Sequence, residues 1–359
     1  MSSSDIPTKM RALRLVKYNT NYKLENDVPV PEPGIGEVLV RVHASGFCHT
    51  DYQVYQGVYS TKLPMSPSHE PAGMIAALGP RVPSEWQVGQ RVGVINFRSP
   101  CGDCNGCRWQ KQKSAASRLD ARYCDNKTMS GITVDGGFAE YMVTEVACLV
   151  HLPDRLPFEQ AAPLMCAGAT VWNAIRGANL NDGDSIAIIG IGGLGVLGIQ
   201  FAKALGYRTV AIDNRDIGLQ LAAKATLKPD LIVSYNDPDA TAKIAEFSGG
   251  VGLKAVVVCT DNVSASNWSI TLLQPHGTCV VLGLPDNGYL FDSFALVFRE
   301  IVVKGSLHAP PDAVEEMMEV VEKHNIMSHL TTVHLDDAEM LPERVAAHDF
   351  QGRLVVLID

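Results

Sequence analysis

The sequence predicts an α/β chain in two parts, a small irregular β domain followed by a doubly wound parallel sheet. Three observations lead there. At 359 residues the soft prior is about 2.4 domains of roughly 150 residues each. The first 150 residues read as short strands broken by proline and glycine, whereas beyond Ala161 apolar runs alternate with helical patterns. One glycine-rich turn, at 190–195, joins such a run to the helix that follows it.

Composition narrows the classes. The formal charge is −9, with 46% hydrophobic and 19% charged residues, which excludes a disordered chain. No basic excess is available for phosphates, so neither a nucleic-acid nor a membrane partner is expected. Residues 1–11 have no apolar core, and no signal peptide is read there. The uncharged stretch Ser185–Ala202 is long enough for a membrane span, but five glycines interrupt it and Asp184 and Lys203 bound it. A buried strand–turn–helix fits it better. Nine cysteines, several of them two residues apart, favour metal ligands in a reducing compartment, and a cytoplasmic location follows.

Strands are expected at Ala12–Lys17, Glu37–Ala44, Gly73–Leu78, Arg91–Ile95 and Phe138–Val143, where β-branched runs meet turn residues such as Pro29, Pro31, Pro33, Gly34 and Gly36. The second part carries runs at Ser185–Ile189, Arg208–Ile212, Leu231–Ser234, Ala255–Cys259, Thr278–Leu282 and Ile301–Lys304. Helices are expected between them, at Leu194–Leu205, Asp216–Lys224 and Ala240–Phe247. Runs this apolar belong to a parallel sheet covered on both faces, and six of them match the doubly wound mononucleotide-binding arrangement. After Gly305 come a helix at Ala313–Lys323 and strands near Thr331–Leu335 and Arg353–Ile358, a tail expected to return to the first domain.

Gly190, Gly192 and Gly195, with Gly193 and Leu194 between them, spell G-I-G-G-L-G directly after the strand Ser185–Ile189. Such a turn lets backbone approach a pyrophosphate, and the helix N-terminus behind it offers free N–H groups. Asp213 ends the next strand 18 residues after Gly195, where a carboxylate can accept both adenosine-ribose hydroxyls. It also argues for NAD over NADP. At ~4 Å and an effective dielectric of 20–80, each charge pair with a 2′-phosphate costs roughly 1–4 kcal/mol. Arg215 is the one nearby feature that would soften the preference.

Cys101, Cys104 and Cys107 form a C-x2-C-x2-C knot that reads as a structural zinc site. A fourth ligand is required, and Cys124 is the next cysteine. A second group is dispersed: Cys48-His49-Thr50-Asp51, then Ser68-His69-Glu70, then Cys166. Singly, His69 reads as a core or surface histidine and Cys166 as a small buried hydrophobe. Their joint pattern changes that.

Taken together, G-F-C-H-T-D at 46–51, H-E-P-A-G at 69–73, the cysteine knot, D-G-G-F-A-E-Y at 135–141, L-M-C-A-G-A-T at 164–170 and G-I-G-G-L-G at 190–195 resemble the zinc-dependent medium-chain alcohol dehydrogenases. In motif style the resemblance is to the yeast and fungal ones, and it runs to the terminal F-Q-G-R. It implies a GroES-like β domain with a zinc lobe over residues 1–160, a Rossmann NAD-binding domain over 161–305, and a returning segment over 306–359. It makes Cys48, His69 and Cys166 the catalytic zinc ligands, Glu70 the carboxylate behind the metal, and Asp51 the group that orients His69. By the same likeness Thr50 takes the alcohol proton, His49 and Arg353 contact the pyrophosphate, and Thr170 approaches the nicotinamide. One catalytic zinc, one structural zinc and NAD are the implied cofactors. A small alcohol or carbonyl is the implied substrate, and the implied assembly is a homodimer or homotetramer.

Departures from the family pattern carry their own expectations. Gln53 stands where a proton-relay histidine is common, and Ser68 where a glycine usually precedes the zinc histidine. Asn96 and Phe97 replace a bulky tryptophan; either Asn96 makes the pocket wider and more polar, or Phe97 fills the same space. Tyr59 falls in another wall segment. Cys148, Cys259 and Cys279 read as buried hydrophobes. The family pattern leaves about seven residues between its third and fourth cysteines, which puts the fourth here at Ala115. An insertion within Arg108–Tyr123, expected as a polar surface loop, moves the fourth ligand to Cys124; a lobe without metal, or closure by Asp103, Asp120 or water, are the alternatives. The expected activity is zinc-dependent hydride transfer between an alcohol and NAD. The alternatives are a reductase of a larger oxygenated metabolite and a non-catalytic NAD(P)H-binding member of the fold.

Overall fold

A computed structural model describes residues 6–113 and 119–358. By its contacts the chain divides into two compact units. The first comprises Met1–Cys166, Pro310–Met318 and Leu330–Asp359, and the second Ala167–Ala309 and Glu319–His329.

The first unit is built from strands β1 (Lys9–Arg14), β2 (Lys23–Pro29) and β3 (Glu37–Phe47), helix α1 (His49–Gln56), and strands β4 (Glu70–Leu78), β5 (Arg91–Val94) and β6 (Phe97–Arg98). Helix α2 (Asn105–Lys113), strands β7 (Thr128–Met129), β8 (Tyr141–Glu145) and β9 (Leu149–His151), and the short α3 (Phe158–Ala161) complete its N-terminal part. β1 and β2 form an antiparallel ribbon, and β6 pairs with β7. The polar K-L-E-N-D-V-P of β2 carries no apolar alternation, and the expected strands do not include it.

Strand β3 is eleven residues long and serves three neighbours. Its first half, Glu37–Arg41, pairs with β8; its second half, Ala44–Phe47, pairs with a strand from the C-terminal tail; β4 lies along the other edge. The C-terminal end of β3 leads straight into α1, and the N-terminal end of β4 opens at Glu70. Two separate stretches of sequence are thereby held side by side, with Gly46 opposite Glu70 in register.

The second unit opens with α4 (Ala167–Gly177), followed by β10 (Ser185–Ile189), α5 (Gly195–Ala204), β11 (Arg208–Asp213), α6 (Asp216–Lys224), β12 (Leu231–Ser234), α7 (Ala240–Phe247), β13 (Leu253–Val258), α8 (Val263–Thr271), β14 (Leu273–Val281), α9 (Ser293–Phe298) and β15 (Val302–Gly305). Its sheet runs β12-β11-β10-β13-β14-β15, every pair parallel. This is the doubly wound order in which the strand sequence reverses beside β10, so the ends of β10 and β11 define the nucleotide crevice. Ala187, Ile189, Val210, Ile212, Val256 and Val258 lie in one buried cluster. Fully burying a valine or isoleucine contributes about 1.5–3 kcal/mol, which accounts for the continuous apolar runs.

Helix α10 (Pro311–His324), strand β16 (Leu330–His334), helix α11 (Leu341–Ala346) and strand β17 (Arg353–Leu357) form the tail. β16 and β17 pair with each other in parallel, and β17 joins β3 antiparallel. The tail strands thus rejoin the first unit's sheet. Among the described residues, no helix is long and apolar enough to cross a membrane.

Candidate functional site

Cys48 caps helix α1. Its extended backbone sets the N-terminal limit of the helix, and the Asp51 Oδ2 atom accepts its N–H at 2.8 Å, which satisfies a donor that a helix start would otherwise leave free. The other oxygen of Asp51 accepts the Ser68 N–H at 3.1 Å and meets His69 Nδ1 at 3.1 Å. One buried carboxylate therefore fixes both the helix start and the imidazole, and it leaves His69 Nε2 to face Cys166 Sγ at 3.3 Å. Donor atoms of Cys48, His69, Glu70 and Cys166 all lie within 4.8 Å of one another.

Glu70 and Arg353 are a buried pair. Both Glu70 oxygens accept from Arg353 Nη2. A Cβ on Gly46 would sit 1.9 Å from Glu70 Oε2, so only glycine lets the carboxylate come this close to β3. Burial raises the Glu70 carboxyl to about 7 against the pull of Arg353, while burial and then Glu70 act on Arg353 in opposite senses and leave it raised. Arg353 Nε is buried with no hydrogen-bond partner among the described residues. The family resemblance gives Arg353 to the pyrophosphate; its bond to Glu70 spans 283 positions, and no local pattern in the sequence signals it.

With no ion bound, the cluster shares protons among its donors, and a metal would bind in place of them. The hydrogen bond from Cys166 pulls the Cys48 thiol well below its ordinary value, and the same bond, with burial, pushes Cys166 well above. Burial works to lower His69, but the charge of Asp51 outweighs it and the imidazole is held well above its usual range. Two sulfurs and an imidazole nitrogen with a carboxylate behind them are the donor set of a catalytic zinc. Tetrahedral zinc separates a bound nitrogen and sulfur by about 3.6 Å, close to the His69–Cys166 distance. The residues fit the ion.

Ser68 has φ +75°, the left-handed conformation that glycine adopts without cost. Its hydroxyl compensates, donating to the Gly46 carbonyl at 2.7 Å and lying 2.6 Å from Ser45 Oγ. Gln53, half-buried on α1, accepts from the Tyr59 hydroxyl at 3.1 Å, and burial raises that phenol above its ordinary value. His49 is exposed at the start of α1, and Thr170 is half-buried on α4. Asn96 is buried with its Oδ1 unpartnered among the described residues, and Phe97 is half-buried beneath the Lys127 ammonium.

The second sulfur cluster is complete as well. Donor atoms of Cys101, Cys104, Cys107 and Cys124 lie within 4.8 Å of one another, with Cys104 and Cys124 sulfurs 3.8 Å apart. Four thiolates at ~2.3 Å from one zinc sit about 3.8 Å from each other, so this donor set also fits. The expected surface loop over Arg108–Tyr123 is corrected in its first half, where residues through Lys113 are helix α2. The run Arg108, Gln110, Lys111, Gln112 and Lys113 consists of strong helix formers, which accounts for the helix. Residues 114–118, including Ala115, lie outside the described residues. Cys148 and Cys279 are buried, as expected of small hydrophobes, whereas Cys259 is half-buried.

In the second unit Gly190 has φ +91° and turns the chain out of β10. A Cβ at Gly195 would lie 2.2 Å from the Gly190 carbonyl, so α5 can start this close only with glycine. Gly192 faces open space, with nothing within 4 Å of where its Cβ would be. That is the open cradle a pyrophosphate needs, with Gly193 and Leu194 leading into the helix N-terminus. Asp213, at the end of β11, is buried and accepts the Ile191 N–H at 2.6 Å.

Comparison with known proteins agrees with this geometry. The profile of the alcohol dehydrogenase GroES-like domain matches residues 34–154, and that of the zinc-binding dehydrogenases matches residues 193–323. An alcohol dehydrogenase of Geobacillus stearothermophilus is 34% identical over 335 residues, covering 93% of this chain and 95% of that protein. Alcohol dehydrogenase 1 of Emericella nidulans is 30% identical, covering 92% of each chain. The likeness thus goes to the family as a whole and does not single out its fungal branch. Among solved structures, the acetophenone reductase of Geotrichum candidum in complex with NAD superimposes with a TM-score of 0.81 at 27% identity, covering 99% of this chain and 98% of that one. The alcohol dehydrogenase of Aeropyrum pernix gives 0.82 at 26%, covering 97% and 100%. The chain belongs to the zinc-dependent medium-chain alcohol dehydrogenases, enzymes of alcohol–carbonyl oxidoreduction that work with zinc and NAD.

Proposed function

We propose that this chain interconverts a primary or secondary alcohol and its aldehyde or ketone at the Cys48–His69–Cys166 cluster, with NAD held on the 190–195 turn. The observation that carries the reading is the meeting of two sulfurs, an imidazole nitrogen and a carboxylate within 4.8 Å. When bound, zinc supplies a Lewis acid for the reacting oxygen and the nicotinamide supplies the hydride acceptor.

The chain's own residues do the rest. Cys48, His69 and Cys166 hold the ion, and Asp51 keeps the His69 proton on Nδ1 so that Nε2 is free to ligate. Glu70, braced by Arg353, stands as a fourth donor behind the others. Thr50 accepts the hydroxyl proton of the alcohol. Because Gln53 cannot titrate, that proton leaves through water or ribose hydroxyls. The resemblance assigns His49, Arg353, Gly190, Gly192, Gly193, Leu194 and Gly195 to the pyrophosphate, Thr170 to the nicotinamide and Asp213 to the ribose. Cys101, Cys104, Cys107 and Cys124 hold the structural zinc.

The buried, unpartnered Asn96 Oδ1 favours a second reading of the substrate as a larger oxygenated carbonyl compound, reduced in the cell. The Geotrichum relative, by its name, reduces acetophenone. A panel of alcohols and carbonyls followed by nicotinamide absorbance, with zinc content measured on the same sample, tests both readings. No turnover of any of them at full zinc loading would leave only the non-catalytic one.

A homodimer or homotetramer is part of the proposal. Leu290, Phe294, Val297 and Phe298, in the segment that leads into the edge strand β15, are each 69–77% exposed, an apolar surface suited to a second copy; light scattering reads the mass. Nine free cysteines, eight of them assembled as ligands or buried, suit a cytoplasmic enzyme, which cell fractionation tests.

A further inference from the structure

Every polar atom of Ser68, the residue before His69, is engaged. Its N–H donates to Asp51 Oδ1 on α1 at 3.1 Å, and its carbonyl accepts the Gly137 N–H at 2.8 Å. Its hydroxyl donates to the Gly46 carbonyl on β3 at 2.7 Å and lies 2.6 Å from Ser45 Oγ. A serine hydroxyl has one proton. The Gly46 carbonyl takes that of Ser68, so the Ser45 hydroxyl donates to Ser68 Oγ. Both serines are 0% exposed. Packing leaves them no slack. A Cβ would lie 2.1 Å from the Ser68 carbonyl oxygen at Gly131 and 2.0 Å from it at Gly136, and one at Gly137 would lie 2.2 Å from Ser45 Oγ.

We propose that the Ser45–Ser68 hydroxyl pair is a positioning element of the metal site, holding Cys48 and His69 at their ligand separation and slowing the ion's departure. The inference rests on the reading of Cys48, His69 and Cys166 as ligands. Gly46 stands two residues before Cys48, and Ser68 directly before His69. Pairing between β3 and β4 ends where Gly46 meets Glu70, so the sheet itself does not reach His69. The run from Ser45 Oγ through Ser68 Oγ to the Gly46 carbonyl carries the connection past that point. It ties the strand end that leads to one ligand to the backbone that bears the next. Asp51 orients the imidazole ring, and the serines fix the main chain behind it. A glycine at position 68, usual in the family, would adopt the φ of +75° without cost but could not make the tie. A left-handed serine persists only where its surroundings over-determine it, and such residues gather at ligand clamps.

Release of zinc to the chromogenic chelator pyridylazoresorcinol, followed on the zinc-loaded protein, tests this. His69→Ala marks which release phase belongs to this ion. Ser68→Gly removes the hydroxyl and the backbone strain together, whereas Ser45→Ala removes the second hydroxyl and leaves residue 68 as it is. Each variant is expected to release this ion about tenfold or more faster than wild type, with the ion of the cysteine knot within about twofold. With cobalt in place of zinc, the visible bands of this site are expected to shift in both variants, because the geometry around the ion follows the His69 main chain. Wild-type release or unshifted bands in Ser68→Gly would leave the hydroxyl as no more than compensation for the strained backbone, and would overturn the proposal. Wild-type release in Ser45→Ala overturns it too. So does equal acceleration of both zinc phases, which would mean a general loosening of the unit. A wild-type protein that takes up no ion at this cluster is a different result, and it takes down the metal-site reading together with the inference.

Discussion

Asp51 lies 3.1 Å from His69 through one carboxylate oxygen and holds the Cys48 N–H at 2.8 Å with the other. Two elements that are far apart in sequence, the start of α1 and the start of β4, are therefore set against each other by a single buried side chain. Any error in its position reaches both proposed ligands at once.

The first prediction follows from that arrangement. Cys48→Ser and His69→Ala should each lower zinc from two ions per chain to one and cut kcat/KM by at least ~100-fold. Asp51→Asn should keep the ion but cost about 10–100-fold in metal affinity or activity. NAD binding, measured by fluorescence, should stay within about threefold, since the glycine turn belongs to the other unit. Wild-type turnover in either ligand variant would end the zinc reading.

Much of this was legible in the sequence, for physical reasons that differ from part to part. The strands at 185–189 and 231–234 and the helices at 216–224 and 240–247 are observed at the bounds expected, because short apolar runs alternating with helical spacing are a local signal. β2 was hidden because it pairs with β1 in a two-stranded ribbon, is largely polar and has no fully buried residue. The ligand residues were legible as types, but the Glu70–Arg353 bond and the Ser45–Ser68 pair were not. Both depend on close approaches, at Gly46 and at Gly137, that no period or spacing encodes.

Cofactor preference is the second prediction. NAD should exceed NADP in kcat/KM, by a margin that Arg215 narrows, and Asp213→Gly should erode it. A preference for NADP in the unmutated enzyme would contradict the assignment of Asp213 to the ribose hydroxyls.

Gln53 supplies the third. With no titrating side chain at this position, Gln53→His should raise alcohol oxidation near neutral pH and add an ionisation near 6.5, the reference for histidine. It also removes the acceptor of the Tyr59 hydroxyl, so Gln53→Leu is the control for lost packing. An unchanged pH–rate profile would show that proton release is not limiting.

Acid stability is the fourth. Asp230 accepts the Thr209 N–H at 2.7 Å and both bonds of the Lys203 ammonium at 2.7 and 2.8 Å. Burial opposes its ionisation, yet these partners hold the carboxyl below its ordinary value. A carboxyl depressed in the fold binds protons more readily when unfolded, so its contribution is complete above about pH 4 and is lost as pH falls through the folded value. Asp230→Asn should be less stable than wild type at pH 7, and should lose less on going from pH 5 to pH 3. Parallel acid limbs in thermal melts would contradict it.

The last prediction concerns the zinc lobe, where this chain departs from its family's spacing. Sixteen residues separate Cys124 from Cys107, yet its sulfur is buried 3.8 Å from that of Cys104. Backbone donors already point at the sulfurs: Cys101 N–H and Asn126 N–H at Cys124, each at 3.3 Å, and Asp125 N–H and Cys107 N–H at Cys104, at 3.3 and 3.5 Å. The last two hold the Cys104 thiol down at about 6, while burial pushes Cys107 up to about 12. A bound zinc would resolve that conflict by taking all four as thiolates. Among the alternative closures, Asp120 is fully engaged, since its carboxylate accepts the Arg122 backbone N–H, Nε and Nη2. The longer connection is no obstacle, because doubling a loop costs only ~0.6 kcal/mol against ~10 kcal/mol or more from a structural zinc. Cys124→Ser should therefore release one zinc per chain, lower the melting temperature, and leave the ion at Cys48, His69 and Cys166 in place. Two zincs per chain in Cys124→Ser, with an unchanged melt, would mean that the knot closes without Cys124.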